Sequence, residues 1–176
     1  MKGFTLIETL VTISITLVLS GLAIAYNRSS ERQIAIYRDQ STVVGLLNRA
    51  RSLAAQKYRD PSIPTYITCA FGIHFEPDSR DFILFQDLGE GGCSSGSANY
   101  RYDAGSNPSE ALETLSLDPR LQFDGIPISG LDIFFIPPDI TASSSTDLPV
   151  SFVIKTNDNN FSVTTTVAAG GQIVTE

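Results

Sequence analysis

The chain has 176 residues, 42% of them hydrophobic, and a formal net charge of −7; this length accommodates one domain with a substantial core plus one further element. The charge is divided, since residues 1–59 carry eight Lys/Arg against three Asp/Glu, whereas residues 60–176 carry four against sixteen. An acidic carboxy-terminal portion repels phosphate backbones, which argues against nucleic acid as its partner.

From Phe4 to Tyr26 run 23 residues whose only charge is Glu8. As a helix this stretch measures about 34 Å, enough to cross a bilayer. A secretory signal peptide is the competing reading, but Met1-Lys2 is a thin basic start and the apolar run is long for that role. An acid five residues after Gly3 does not suit a signal peptide either. A carboxylate inside an apolar span is costly and usually has a partner; near the segment end it can also reach the interface. Thr5, Thr9, Thr12, Thr16, Ser20 and Ala23 share one helix face. Such residues suit close helix–helix contact or bond back to their own helix.

The hexapeptide Gly3-Phe4-Thr5-Leu6-Ile7-Glu8, followed by the apolar run, resembles the processing motif of type IV prepilins and type II secretion pseudopilins. The resemblance implies cleavage between Gly3 and Phe4 by a prepilin peptidase and N-methylation of Phe4. It also implies a cytoplasmic amino terminus and pairing of Glu8 with a neighbouring subunit's amino terminus during assembly. The cationic amine exposed on Phe4 would neutralise Glu8 at low dielectric. The segment departs from the family in lacking a proline, with Gly21 as its one weak point. Charge alone does not orient it, because Lys2 faces Arg28, Arg32 and Arg38 across the span.

Asn27 to about Tyr58 continues the helix, with Val43, Leu46, Leu47, Ala50, Leu53 and Ala54 forming an apolar face. Asp60-Pro61 and Pro64 end it. A sheet should bury that face. Ile67, Cys69, Phe71, Ile73 and Phe75 alternate with Thr68, Ala70, Gly72 and His74, and Phe82–Gln86 forms the return strand. Further strands are expected at Glu113–Leu117, Leu121–Phe123, Leu131–Ile136, Val150–Thr156, Phe161–Val167 and Gln172–Val174, the last two hairpins being best marked by turn chemistry. Gly89–Pro108 and Pro137–Pro149 read as loops. The expected fold is α+β, a long amino-terminal helix packed on an antiparallel β head. The divisions are a leader at 1–3, a membrane and filament-core helix at 4–26, an amphipathic helix at 27–59 and the head at 60–176.

Cys69 and Cys93 suit one disulfide in an exported protein, or two free thiols. His74 stands alone as the single histidine, reads as an exposed strand residue and has no nucleophile beside it. Asp87, Glu90 and Asp103 are oxygen ligands at loose spacing, candidates for calcium or simply a solvated acidic loop; no other metal and no cofactor is implied. The basic helix could attract the acidic head of another subunit. Alternatively Arg28, Arg32 and Arg38 could meet anionic headgroups, or form isolated weak ion pairs.

The order of elements also resembles GspH/FimT-like minor pilins and pseudopilins. The matching pieces are Asn48-Arg49-Ala50-Arg51-Ser52-Leu53-Ala54, Ile83-Leu84-Phe85-Gln86-Asp87, Asp103-Ala104-Gly105 and Gly171-Gln172-Ile173. DNA binding, found in some FimT-type relatives, is not implied, because Gly170–Glu176 contains no Lys or Arg. The function expected is that of a non-enzymatic filament subunit, a minor pilin or pseudopilin held in the inner membrane with its head outside the cytoplasm. Its partners are the prepilin peptidase and other subunits, and its destination is a periplasmic or extracellular filament. A major pilin and a tip-located binding protein or adhesin are the alternatives; a membrane-anchored hydrolase is disfavoured for lack of catalytic groups.

Overall fold

The structure is a computed structural model that describes residues 5–56, 62–93 and 98–176, with the side chains of 24–29 left out. Gly3, Phe4, the predicted end of the helix at Tyr58 and the Asp60-Pro61 stop lie outside the described residues. One continuous helix among the described residues, α1, runs Leu6–Gln56. It contains no proline, and at its two glycines, Gly21 and Gly45, nothing approaches within 4 Å of where a Cβ would stand. Neither glycine is therefore required by packing.

Among the described residues the head has nine strands: β1 Tyr66–Phe75, β2 Asp81–Glu90, β3 Ala111–Ser116, β4 Leu121–Asp124, β5 Leu131–Ile136, β6 Thr141–Ser144, β7 Val150–Thr156, β8 Ser162–Val167 and β9 Ile173–Thr175. They form two antiparallel sheets, ordered β3-β2-β1-β5-β6 and β4-β7-β8-β9. The main core lies where α1 meets both. From the helix it takes Ala35, Ile36, Val43, Leu46, Leu47, Ala50 and Ala54, all buried; from the sheets it takes Phe71, Phe75, Ile133, Phe135, Phe152 and Ile154. Phe75 joins the sheets by an edge contact with Phe123 at 5.2 Å and a tilted one with Phe152 at 4.6 Å between ring centres. Truncating one such buried side chain costs roughly 2–5 kcal/mol, so this helix face holds the head firmly.

The expected α+β architecture is present, and the last two hairpins pair as β7 with β8 and β8 with β9. Three details differ. A short strand, β6, sits inside the predicted Pro137–Pro149 loop; it is serine-rich and buries only Ala142, so no alternation marks it. Strand β2 continues through Gly89 to Glu90, beyond the predicted Gln86. Finally, β1 is covered on both faces: Ala70, Phe85 and Phe134 form a second small core under Tyr100 and Tyr102, while Ile67 at the strand's edge is exposed. Gly72 is required there, since a Cβ would lie 2.5 Å from the Ile133 carbonyl oxygen and 2.7 Å from the Phe134 Cβ.

Candidate assembly helix and the head latched to it

Over Leu6–Ala23 α1 makes no buried contact with the head, and this stretch is long and apolar enough to cross a membrane. Leu6, Ile7, Leu10, Ile13, Leu17, Val18 and Leu22 all stand exposed. In water that surface is unfavourable by some 25 cal/mol per Å2, so it requires lipid, other helices or both.

Glu8 sits in the first turn. Its Oε2 accepts from the Thr5 backbone N–H and from the Thr5 hydroxyl, each at 2.9 Å, while the Glu8 N–H donates to Thr5 Oγ1 at 3.4 Å. This is a capping box, in which residues three apart satisfy each other's backbone donors. Its T-x-x-E signature is legible in the sequence, and it gives Glu8 a local role beside the external partner and the interface that its place in an apolar span suggests. The hydroxyl face is also locally satisfied: Thr9 donates to the Leu6 carbonyl at 2.8 Å, Thr12 to Thr9 at 2.9 Å and Thr16 to Thr12 at 2.7 Å. Back-bonding hides those polar groups without removing the face from contact with another helix.

Beyond the span, polar contacts tie α1 to its own head. Arg32 pairs with Asp158 in the β7–β8 turn, and Arg49 pairs with Glu113 on β3. Arg120 reaches Glu31 at 3.4 Å and holds Asp118 at 2.8 Å; this bonding brings the Asp118 carboxyl down to about 2. Asp39, buried on the helix, accepts from the Asp118 backbone N–H at 2.6 Å. The helix arginines Arg32 and Arg49 thus meet acids of the same chain, while the Arg28 side chain lies outside the described set.

The remaining candidates occupy the outer face of the larger sheet. Cys69 and Cys93 are joined, with S–S 2.01 Å, so the described residues hold no free cysteine. Asp87 is buried and accepts from the Tyr100 N–H at 3.2 Å; burial raises its carboxyl. Asp103 lies in the same loop, whereas Glu90 is exposed at the end of β2. The acid that joins Asp87 and Asp103 is Glu110, which the sequence reading missed. It is buried, and its carboxylate accepts from the Asp103 N–H at 2.8 Å and the Leu88 N–H at 3.4 Å. Burial pushes it up to about 7 against the pull of those two amides. No signal in the sequence separates Glu110 from an ordinary surface acid. Among the described residues no group of three or more His, Cys, Asp or Glu could hold a metal ion; Asp87 and Glu110 organise loop backbone instead.

His74 corrects the expectation of an exposed strand residue. It is 8% exposed, because the loop carrying Tyr102 covers that face of β1, with ring centres 5.0 Å apart. Its Nδ1 meets Asp132 Oδ1 at 2.8 Å and its Nε2 meets Glu76 Oε2 at 3.3 Å. Burial opposes the imidazolium, but Asp132 and Glu76 outweigh it, and the net shift is upward. Gly130, with φ of 79°, must remain small here, since a Cβ would lie 2.6 Å from the His74 ring.

No curated protein and no solved structure matches the chain. Residues 1–24 match the family described as Prokaryotic N-terminal methylation motif, so this chain carries, ahead of a β head on a long helix, the amino-terminal signature of the type IV pilin and pseudopilin class.

Proposed function

We propose that the chain is a structural subunit, a GspH/FimT-like minor pilin or pseudopilin of a type IV pilus or type II secretion filament. In this reading the prepilin peptidase removes residues 1–3 and Phe4 is N-methylated. The 4–26 segment then anchors the subunit in the inner membrane and later packs in the filament core. Residues 27–59 carry the head, residues 60–176, on the outer side. Glu8 exchanges its local bonds with Thr5 for the amine of a neighbouring Phe4, and the other subunits are its partners. Nothing in the reading calls for catalysis, a cofactor or nucleic acid.

The observation that carries this reading is the continuity of the methylation motif with an exposed apolar helix that runs unbroken into the latched β head. A signal peptide would carry its cleavage site after the apolar run, whereas here the processing motif precedes it. Intact-mass analysis of the mature protein tests it. The expected chain begins at Phe4 and carries one additional methyl group; a chain beginning at Met1 in cells containing the peptidase would overturn the reading.

A further inference from the structure

A cleft of about 340 Å3 opens at one end of the head, lined by Asp78, Ser79 and Arg80 of the β1–β2 turn, by Pro119, Leu121, Gln122 and Phe123 around the start of β4, and by Asn157. The position of this cleft is fixed by the latch. Leu117 N–H donates to the Arg80 carbonyl at 2.9 Å, Asp118 N–H donates to Asp39, and Asn157 donates to the Pro119 carbonyl at 3.0 Å. Asp158, the next residue, meets Arg32. The cleft therefore lies beside helix residues 32–39, at the end of the head nearest the apolar span. Arg32 is six residues past Tyr26, about 9 Å along a helix axis. Headgroups add about 5–8 Å on each side of the hydrocarbon, and helix residues 32–39 stand about 9–20 Å past Tyr26, so with the anchor tilted toward this side the near edge of the cleft meets headgroups that reach up to it.

The chemistry of the lining is of mixed sign. Arg80 and Asp78 are both exposed, and the side chains of Arg80, Asp78 and Gln122 have no hydrogen-bond or ion-pair partner among the described residues. A plain anion would be attracted by Arg80 and repelled by Asp78 and the acidic head; a plain cation would meet the reverse at Arg80. A small group bearing both signs satisfies both, with a phosphate on the guanidinium and a primary ammonium donating to the carboxylate. Gln122 offers a further amide, and Pro119, Leu121 and Phe123 an apolar floor for the connecting carbons. The volume is at the small end of ligand sites. We propose that this cleft seats the phosphoethanolamine headgroup of a membrane lipid before the subunit is assembled.

The inference rests on the 4–26 segment crossing the bilayer, which co-migration of the full chain with lipid nanodiscs checks separately. Backbone hydrogen exchange at residues 78–80 and 119–123 is then compared in nanodiscs made with phosphatidylethanolamine, phosphatidylcholine or phosphatidylglycerol. Exchange should be at least about threefold slower with phosphatidylethanolamine than with the other two, because a trimethylated amine cannot donate to Asp78 and a glycerol headgroup lacks the cation. Asp78→Asn and Arg80→Gln should each abolish the difference while leaving exchange in helix residues 40–56 unchanged. Equal protection in all three lipids, or protection that survives both substitutions, would overturn the proposal. Saturable protection of the detergent-held chain by soluble phosphoethanolamine, with none in the ethanolamine-lipid discs, would assign the cleft to a free solute and overturn the lipid.

Discussion

His74 on β1 and Asp132 on β5 are register partners in adjacent strands, and Nδ1 and Oδ1 lie 2.8 Å apart. The pair is almost sealed from solvent by the loop that carries Tyr102, and Glu76 approaches the other ring nitrogen. Asp132 is itself built into the sheet: its N–H donates to Ser145 Oγ and its carbonyl accepts from the Ser145 N–H, each at 3.0 Å. The strand pairing of the larger sheet thus carries a charge-assisted contact in its interior.

The sign of the resulting pH dependence follows. The folded His74 holds its proton more tightly than the ordinary value of 6.5, so its contribution is full below that value and is lost as pH rises through the higher folded value. His74→Asn should remove this component and leave Asp132 without its charged partner. We expect a loss of about 1–3 kcal/mol at pH 5.5, measured by denaturant unfolding, and a smaller loss at pH 8.5.

Glu110 acts in the same direction for a different reason. Its folded carboxyl titrates at about 7 instead of 4.5, so the folded state binds the proton more tightly. Stability is greatest below the unfolded value and falls as pH rises through about 7. Glu110→Gln should flatten the stability profile between pH 5 and pH 8 by an amount on the order of 2 kcal/mol. It should also cost about 1 kcal/mol at pH 5, because one of the two amides it serves loses an acceptor.

Two contacts of the latch should differ in weight. Arg32 and Asp158 are partly exposed, and Arg32→Ala is expected to cost at most about 1 kcal/mol. Asp39 is 8% exposed and serves the Asp118 N–H at 2.6 Å; Asp39→Ala strands that donor and should cost about 1–3 kcal/mol. Thermal unfolding of the two variants should rank them in that order.

The Cys69–Cys93 bridge closes a loop with a sequence separation of 24. By chain entropy such a crosslink stabilises by roughly 3 kcal/mol. Reduction, or the double change Cys69→Ser and Cys93→Ser, should lower the denaturant midpoint accordingly; an unchanged midpoint would contradict it.

For assembly, Glu8→Ala should leave cleavage intact, since the bond proposed for cleavage, between Gly3 and Phe4, lies outside the capping box, yet reduce incorporation into filaments by tenfold or more. Counting processed subunit in purified filaments against processed subunit in membranes separates the two effects. Normal incorporation would contradict a pairing role for Glu8.

Much of this architecture could be read in the residue order. Val43, Leu46, Leu47, Ala50 and Ala54 announce a buried helix face by their spacing, and that face is buried. Asn157–Asn160 and Gly170-Gly171 mark the hairpin turns. What escaped depends on chain segments distant in sequence. Period-two alternation on β1 suggested that His74 faces water, because nothing local reveals that residues 98–110 fold over that face. Glu110 looks like any solvated acid until Leu88 and Asp103 are placed around it. Strand β6 lacks an apolar pattern because an edge strand with one covered side chain needs none. In the amino-terminal segment the same short spacing carried two meanings, a processing motif and a helix cap, and the first obscured the second.

The unbroken course of α1 from Leu6 to Gln56 makes the anchor and the head a single lever. About 33 residues of helix extend past the apolar window, some 50 Å at 1.5 Å per residue. A change of 20° in tilt, ordinary for a membrane helix, would swing the far end sideways by roughly 17 Å. Thinning of the bilayer, or a neighbour pressing on the buried third of the rod, would therefore be felt as a large sweep of the acidic head above the surface.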